Sequence, residues 1–307
     1  MPPKVADPVL TLAELEAWSF DGTALAVLGH PIGHSISPEM HNAALAQLAR
    51  TDAQWRNWRY FRIEVPPADL PRALDLLHAR RFRGVNLTVP HKVMACELVD
   101  EIDEAARPAG AVNTLLWNSW GWRGFNTDGY GLSAALGASL GRELAGADVV
   151  LLGAGGAARG AAVECLQRRC ASLAVANRSH ARRDELLYLL RGLAHGIPVR
   201  ALELPPAEIP AGALVINATA AGLRPEDPSP LDLATVARPA GIYDMIYNPP
   251  RTPLLRQAAQ LGVRGANGLS MLVHQGAKAL EIWTGMPAER TAPLMQAAAQ
   301  AALAGRS

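Results

Sequence analysis

Residues 149–158 read Val-Val-Leu-Leu-Gly-Ala-Gly-Gly-Ala-Ala, and this stretch decides the fold. The apolar run Val149–Leu152 is typical of a buried strand, and the glycine-rich turn after it leads into a helical pattern. The turn matches the G-x-G-x-x-A pattern of dinucleotide-binding domains. In that pattern Gly153 allows the tight turn, Gly155 lets the backbone approach a pyrophosphate, and Ala158 lets helix and strand pack closely. The stretch therefore predicts a Rossmann-like domain whose helix N-terminus faces the phosphates of a nucleotide.

The end of the next predicted strand bears on the choice of cofactor. An NAD-binding domain carries an acidic residue there, but this chain has Asn177-Arg178-Ser179, with Arg182 and Arg183 one turn later. A guanidinium pairs with a 2′-phosphate, which a carboxylate would repel. The pattern favours NADP over NAD, and the alternative is that Arg178 is an ordinary solvated arginine.

Short apolar runs alternate with amphipathic stretches along the chain, which predicts an α/β fold with parallel sheets covered on both faces. Strands are predicted at Leu25–Leu28, Tyr60–Val65, Val85–Val89, Val149–Leu152, Leu173–Ala176, Leu214–Ile216 and Ile242–Ile246. Helices are predicted at Pro38–Ala49, Pro66–Ala79, Ala157–Arg168, Gly268–Trp283 and Pro287–Ala304. The glycine-rich passage Gly121–Gly131 is where a first domain would pass to a second. Trp117, Trp120 and Trp122 surround a predicted hairpin and suggest cross-strand packing.

Composition and charge exclude several classes of protein. The chain has 307 residues, half of them hydrophobic and 19% charged, which predicts two globular domains. Its net charge of +1 gives no field that would hold a nucleic acid or an anionic membrane. Cys96, Cys165 and Cys170 are too few and too irregular for a disulfide framework or a zinc site, which fits a reducing cytoplasm. The segment Met1–Leu10 resembles neither a signal peptide nor a membrane span, and we assign no function to the roughly 22 residues before the first predicted strand.

Polar side chains cluster at three predicted strand ends in the first half of the chain, where an open α/β sheet binds its ligands. They offer hydroxyls and amides, which suit a small polyhydroxylated carboxylate. They also offer one lysine and one aspartate, which suit proton transfer to a carbonyl oxygen as hydride reaches its carbon. Nothing in them is typical of a metal site. The clusters are Ser35–Pro38, Asn86–Lys92, and Asn113–Thr114 together with Asn126–Gly129.

These motifs, in this order, resemble those of the shikimate dehydrogenase family. The matching stretches are Gly29–Asn42, Gly84–Lys92, Gly110–Thr114, Asn126–Gly129, Gly153–Ala157, Asn177–Ser179, Asn217–Thr219, Tyr243–Pro249 and Met271–Gln275. Two positions depart from the common pattern, because Ser270 replaces a frequent glycine and Ala220 a frequent serine. Ser270 would add a side chain close to the expected path of the nicotinamide.

The resemblance implies the NADPH-dependent, reversible reduction of 3-dehydroshikimate to shikimate in aromatic amino acid biosynthesis. It implies that Lys92 is the acid–base group with Asp128 as its partner, and that Ser35 and Ser37 hold the substrate carboxylate. Further substrate-binding residues would be Asn86, Thr88, Asn113, Tyr247 and Gln275. The cofactor-binding residues would be Gly153, Gly155, Gly156, Ala157, Asn177, Arg178, Ser179, Arg182, Thr219, Met245, Gly268 and Met271.

The resemblance also implies the division of the chain. Residues 1–128 and 268–307 would form the substrate domain, in which C-terminal helices complete an N-terminal parallel sheet, and residues 129–267 would form the NADP-binding Rossmann domain. The protein would be a cytoplasmic monomer or homodimer without a nucleic-acid or membrane partner.

Four alternatives stay open at this point. The enzyme could oxidise quinate, or both quinate and shikimate, or act on an amino analogue. Quinate-preferring relatives often alter the second serine, so the presence of both Ser35 and Ser37 favours shikimate. A catalytically silent nucleotide or metabolite sensor is a different class, against which the retention of Lys92 and Asp128 argues.

We also expect Ser37 to cap a helix beginning at Pro38, and Ser35 to have no such second role.

Overall fold

The computed structural model describes residues 8–224 and 226–305. The chain divides into two compact units, of which the first joins Met1–Thr127 to Gly276–Ser307 and the second is Asp128–Gln275. The N-terminal segment to which the sequence assigns no function lies outside the described residues as far as residue 7. Which ligand each unit binds stays a prediction.

The first unit is built on a mixed sheet of seven strands. The strands are β1 (Val9–Leu10), β2 (Thr23–Gly29), β3 (Trp58–Glu64), β4 (Gly84–Leu87), β5 (Glu101–Ile102), β6 (Thr114–Asn118) and β7 (Gly121–Phe125). They lie in the order β1-β3-β2-β4-β6-β7-β5. The neighbours from β1 to β4 are parallel, whereas β6 is antiparallel to both β4 and β7. The predicted hairpin is confirmed, and Trp117 lies opposite Trp122 in its register.

The second unit contains a parallel sheet of six strands. They are β8 (Asp148–Leu152), β9 (Ser172–Ala176), β10 (Val199–Leu202), β11 (Leu214–Asn217), β12 (Gly241–Asp244) and β13 (Gly265–Asn267). The order β10-β9-β8-β11-β12-β13 becomes 3-2-1-4-5-6 when counted from β8, which is the order of the Rossmann fold. The predicted fold class is confirmed. The order reverses between β8 and β11, where such folds bind their ligands.

Ten α-helices among the described residues cover the two sheets. They are α1 (Leu12–Glu16), α2 (Ser37–Thr51), α3 (Leu70–Ala79), α4 (His91–Met94), α5 (Asp128–Leu140), α6 (Gly156–Gln167), α7 (His180–Leu193), α8 (Pro253–Gln260), α9 (Leu269–Thr284) and α10 (Ala288–Ala304). None of the helices in these described ranges is long and apolar enough to span a bilayer. The second division of the chain falls inside α9.

The C-terminal helices complete the core of the first unit. Trp283 on α9 is 1% exposed, and its indole N–H donates to the carbonyl oxygen of Leu115 at 2.9 Å. A Cβ atom at position 84 would overlap this indole, so glycine on β4 makes room for the ring. α10 packs against α2. The C-terminal segment is therefore part of the same hydrophobic unit as the N-terminal sheet.

The structure corrects the description of the N-terminus. β1 lies well before the first predicted strand and pairs with β3 at the sheet edge, and α1 follows it at once. The pattern did not reveal them because a two-residue strand and a five-residue helix are too short to show a hydrophobic period. Thr11 caps α1 by accepting a hydrogen bond from the Glu14 N–H.

Candidate active site

The glycine-rich turn after β8 has the conformation that the sequence predicts. Gly153 has φ +119°, which disfavours any side chain, and a Cβ there would lie 2.9 Å from the carbonyl oxygen of Ala218. A Cβ at Gly155, by contrast, would have no atom within 4 Å. Gly155 caps α6 without any side-chain hydrogen bond to the first turn. The turn thus offers backbone N–H groups beside open space, which fits a pyrophosphate.

The loop after β11 reaches the same place at the switch point of the sheet. Thr219 follows Ala218, and its N–H and hydroxyl both donate to Asn217 Oδ1, at 3.0 and 2.7 Å. Asn217 in turn donates to Asp244 Oδ1 at 3.0 Å. Burial raises the pKa of Asp244, while hydrogen bonds from Thr252, Ile246 and Asn217 oppose that rise. These buried contacts fix the loop that carries Thr219 against the glycine-rich turn.

The residues after β9 present two exposed guanidinium groups. Arg178 and Arg182 are exposed, and Ser179 caps α7 by accepting a hydrogen bond from the Arg182 N–H at 3.4 Å. Asn177 donates to the carbonyl oxygen of Ser179 at 2.9 Å. Arg183 is different, because its buried guanidinium donates to the carboxylates of Asp184 and Glu203 at 2.9 and 2.8 Å. Those contacts, which raise the pKa of Arg183, leave Arg178 and Arg182 as the candidates for a phosphate.

The remaining predicted cofactor residues follow β12 and precede α9. A Cβ at Gly268 would overlap the carbonyl group of Met245, so only glycine fits there. The N–H of Met271 donates at 3.1 Å to the hydroxyl of Tyr243, which the sequence analysis did not single out as a site residue. Burial raises the pKa of Tyr243, so the phenol stays neutral and holds the first turn of α9. Tyr247 and Ser270 are half-buried.

Glycines place the helix of Asp128 beside Gln275 in the second unit. Asp128, 3% exposed, is the first residue of α5. A Cβ at Gly131 would lie 2.8 Å from the Cβ of Gln275, and a Cβ at Gly129 would lie 2.8 Å from Glu164 Oε2. α5 therefore packs very closely on α6 and α9. The amide of Gln275 donates to the carbonyl oxygen of Leu272 at 2.8 Å.

In the first unit, two of the predicted substrate loops meet at the carboxyl ends of β2 and β4. A Cβ at Gly29 would lie 2.5 Å from Thr88 Cγ2. Thr88 follows β4, and Lys92, which is half-buried, lies on the short helix that begins at His91. The carbonyl oxygen of Lys92 accepts a hydrogen bond from the Val112 N–H at 2.8 Å. The structure thus brings the Ser35 loop, Thr88 and the helix of Lys92 together at the carboxyl ends of the central strands.

The structure corrects both expectations about helix capping in the serine loop. α2 begins at Ser37 rather than Pro38, and its N-cap is Ile36, which makes no side-chain capping hydrogen bond. The Ser37 hydroxyl bonds instead to Tyr60. Ser35 does have a second role, because its hydroxyl oxygen accepts a hydrogen bond from the Ser37 N–H at 3.3 Å.

A buried arginine that sequence reasoning missed lies beneath this loop. Arg62 on β3 is 2% exposed; its guanidinium donates to the carbonyl oxygen of Ser35 and pairs with Glu39 Oε2 at 3.1 Å. The alternating pattern of β3 gives no signal of it, since a charged residue in a strand normally faces solvent. Arg62 holds the backbone of the serine loop in place.

The predicted amide residues Asn86 and Asn113 share one buried hydrogen-bond network. It includes three hydroxyls, those of Tyr60, Thr114 and Thr127. Sequence reasoning placed Thr114 and Thr127 in the polar clusters without giving them an individual role, and it missed Tyr60. Lys92 belongs to the first unit and Asp128 to the second, so their pairing stays a prediction. Within residues 8–224 and 226–305, no cluster of His, Cys, Asp and Glu is arranged to hold a metal ion.

Two family descriptions match this chain. Residues 27–115 match the shikimate dehydrogenase substrate binding domain, and residues 268–300 match the shikimate 5′-dehydrogenase C-terminal domain. Among curated proteins, the shikimate dehydrogenase (NADP(+)) of Symbiobacterium thermophilum is 40% identical over 296 residues, which are 93% of this chain and 96% of that protein.

Solved structures show the same likeness. Shikimate 5-dehydrogenase from Thermus thermophilus in complex with shikimate is 36% identical with a TM-score of 0.78, covering 92% of this chain and 99% of that one. The same enzyme has been solved with NADP(H) and shikimate, at a TM-score of 0.75, 35% identity and coverage of 90% and 99%. The 5-ketofructose reductase of Gluconobacter sp. strain CHM43 is 29% identical with a TM-score of 0.77, covering 91% and 99%. The fold alone therefore does not determine the substrate.

Proposed function

Since this chain belongs to the shikimate dehydrogenase family, we propose that it interconverts 3-dehydroshikimate and shikimate with NADP, a step of aromatic amino acid biosynthesis. The observation that carries the proposal is the convergence of the Ser35 loop, Thr88 and the helix of Lys92 at the carboxyl ends of β2 and β4. Hydroxyls and a cation at these strand ends suit a substrate that carries hydroxyls, a carboxylate and a ketone, because the ketone oxygen must gain a proton during reduction.

The bound cofactor supplies the hydride in one direction and accepts it in the other. In the reduction, the ammonium group of Lys92 donates a hydrogen bond and then a proton to the substrate carbonyl oxygen. In the oxidation, Lys92 takes that proton back, with Asp128 as its partner. The hydroxyls of Ser35 and Ser37 bind the carboxylate, while Asn86, Thr88, Asn113, Tyr247 and Gln275 orient the ring.

The residues of the second unit fit NADP. The first-turn N–H groups of α6 carry no side-chain cap and face open space at Gly155, which suits the pyrophosphate. Gly156 and Ala157 follow β8, and Thr219 follows β11, on the two sides of the switch point. Met245 follows β12, and Gly268 and Met271 lie at the start of α9. We propose that all six contact the cofactor. Arg178 and Arg182 would bind the 2′-phosphate, with Asn177 and Ser179 shaping their turn. The relatives' name, shikimate dehydrogenase (NADP(+)), supports this cofactor.

We expect Arg178→Asp to weaken NADPH binding by about 10- to 150-fold, because a pairing of opposite charges becomes a repulsion worth roughly 1.5 to 3 kcal/mol. The KM values for NADP and NAD with shikimate as second substrate measure the effect. Arg191→Asp, an equal charge change at an exposed site in the last turn of α7, is the control. An unchanged preference for NADP over NAD in the Arg178 variant would refute the assignment.

We expect Ser35→Ala to raise the KM for shikimate by about 10-fold, the value of one hydrogen bond to a charged group, and to leave the KM for NADP unchanged. The variant also removes the acceptor for the Ser37 N–H, so a thermal unfolding curve must accompany the kinetics. Equal rises in both KM values would contradict a role in binding the carboxylate.

The substrate itself is tested by supplying competing compounds. Reduction of 3-dehydroshikimate by NADPH should proceed, and shikimate should be oxidised with NADP faster than with NAD. Turnover with quinate at a comparable kcat/KM would make the protein a dual enzyme. No turnover with shikimate, quinate or 5-ketofructose would favour the sensor alternative. We also propose that the protein is a cytoplasmic monomer or homodimer without nucleic-acid or membrane partners. Sedimentation of the same preparation tests the oligomeric state.

A further inference from the structure

Two buried hydroxyls lie between residues that the proposed function assigns to substrate. Tyr60 on β3 and Thr114 at the start of β6 are each 0% exposed. We propose that these two hydroxyls are positioning groups, which join Ser37, Asn86 and Asn113 into one directed hydrogen-bond chain and so fix both ends of the substrate site. The inference rests on the proposed function, because it takes those three residues as substrate ligands.

The orientation of the Asn86 amide follows from its surroundings. Its NH₂ group donates to the carbonyl oxygen of Asn113 at 3.1 Å and to Thr114 Oγ1 at 2.9 Å. A backbone carbonyl can only accept, so the opposite orientation would place two oxygens against each other. Asn86 Oδ1 therefore faces Tyr60, whose hydroxyl donates to it at 2.8 Å.

The direction of the bond between Tyr60 and Ser37 follows next. A phenol has a single hydrogen, and Tyr60 uses it on Asn86. Ser37, whose hydroxyl bonds to Tyr60, must then be the donor in that pair. Burial raises the pKa of Tyr60, so the phenol stays neutral and keeps its hydrogen. The chain Ser37–Tyr60–Asn86 thus runs in one direction only.

Thr114 extends the chain to the second amide. It accepts from Asn86 and donates to Asn113 Oδ1 at 3.0 Å. Asn113 Oδ1 also accepts from the Thr127 N–H at 2.8 Å, and Asn113 Nδ2 donates to Thr127 Oγ1 at 3.0 Å. Thr127 immediately precedes Asp128 in the sequence. The two hydroxyls therefore link the serine loop to the end of the first unit.

This direction fixes the orientation of both amides and the atom that Asn86 presents to a ligand. Asn86 has committed both of its N–H groups to the protein, so it meets a ligand through Oδ1 and accepts a substrate hydroxyl hydrogen. Asn113 Oδ1 accepts from Thr114 and Thr127, and Asn113 Nδ2 donates to Thr127 Oγ1, so the Asn113 amide is held in one orientation. A site with fixed polarity rejects an analogue that lacks the matching hydrogen, since a buried polar group is then left unpaired.

Substitutions that remove only a hydroxyl test the chain. Thr114→Val should raise the KM for shikimate by about 10-fold or more, because Asn86 and Asn113 each lose a buried partner, and should change the KM for NADP by less than about twofold. Thr114→Ser keeps the hydroxyl and should restore the KM for shikimate to within about threefold of wild type. A purely structural role would not separate the two KM values.

Tyr60→Phe is the second test, and it does not depend on how well the Thr114 variants fold. The Tyr60 ring stacks on His41 with centroids 4.1 Å apart and planes 6° apart, so phenylalanine keeps the packing. Burial lowers the pKa of His41 to about 3, and the stacked ring therefore stays neutral. Tyr60→Phe should raise the KM for shikimate in the same manner. When it is combined with Ser37→Ala, the joint effect should be smaller than the product of the single effects.

Thr291→Val is the matched control, since Thr291 is a fully buried threonine of the same unit whose hydroxyl donates to the carbonyl oxygen of Ala288. It should leave the KM for shikimate unchanged. A folded Thr114→Val or Tyr60→Phe variant with wild-type KM for shikimate, or with equal rises for shikimate and NADP, overturns the chain and leaves the proposed function intact. A wild-type protein without activity on shikimate overturns both.

Discussion

Replacement of Lys92 by alanine is expected to lower kcat for shikimate oxidation by about 10² to 10⁴, with a much smaller change in KM. Hydride delivered to a ketone leaves an alkoxide, which must be stabilised or protonated as it forms, and an ammonium within hydrogen-bond reach does both. Lys92 is the only lysine between residues 5 and 277, and it lies at the sheet edge where the predicted substrate loops meet. Steady-state kinetics on protein free of host enzyme measure the effect.

Two further variants make the Lys92 result interpretable. Lys92→Arg should not restore turnover, because a guanidinium cannot release its proton near neutral pH. Lys278→Ala removes the only other lysine in the described part of the chain, one that pairs with Glu281, and should keep kcat within about twofold of wild type. If Lys92→Ala kept wild-type turnover, the acid–base role would pass to Asp128.

Trp283→Ala is expected to destabilise the protein by about 3 to 5 kcal/mol, the usual cost of removing a large aromatic side chain from a core. The indole is 1% exposed, donates to the carbonyl oxygen of Leu115, and fills the space that Gly84 leaves open. The methyl group of alanine does not fill that space, so a cavity remains. The carbonyl oxygen of Leu115 also loses its hydrogen-bond donor. Urea unfolding followed by circular dichroism measures the change.

Trp120→Ala serves as the matched control for the Trp283 variant. Trp120 lies at the turn of the β6–β7 hairpin and is 87% exposed, so its removal should cost less than about 0.5 kcal/mol. Equal unfolding midpoints for the two tryptophan variants would mean that the C-terminal part of α9 contributes little to the core of the first unit.

The sequence predicts the second sheet well because its strands are apolar runs buried on both faces and punctuated by helices. The glycine-rich turn at 153–156 even indicates where its order reverses. Edge strands such as β1, β10 and β13 escape prediction, since two to four residues, partly exposed, show no hydrophobic period. In the first sheet, the β6–β7 hairpin was predictable only from the tryptophans that surround its turn.

Individual site residues are predictable where a motif exposes them, but their supports are not. Ser35, Asn86 and Lys92 stand in short polar runs after strands, which is a signal that one sequence can show. Tyr60 and Arg62 stand inside a strand whose neighbours are apolar, and only the packing of α2 above β3 reveals what they bind. Hydrogen-bond direction is likewise absent from sequence. The expected cap at Ser37 was wrong because α2 begins one residue earlier than predicted, which makes Ser37 its first residue and Ile36 its N-cap.

The discontinuity of the first unit has a consequence for synthesis on the ribosome. The strands up to Phe125 emerge early, yet α10 and the part of α9 that belongs to the same unit lie beyond residue 275. At about 5 to 20 residues per second, roughly 7 to 30 seconds separate the two events. The second unit is continuous and is synthesised in that interval, during which the space beside Gly84 and Leu115 lacks the indole of Trp283. We therefore expect the nascent chain to depend on chaperones during this delay. We also expect that translational pausing before residue 276 favours aggregation.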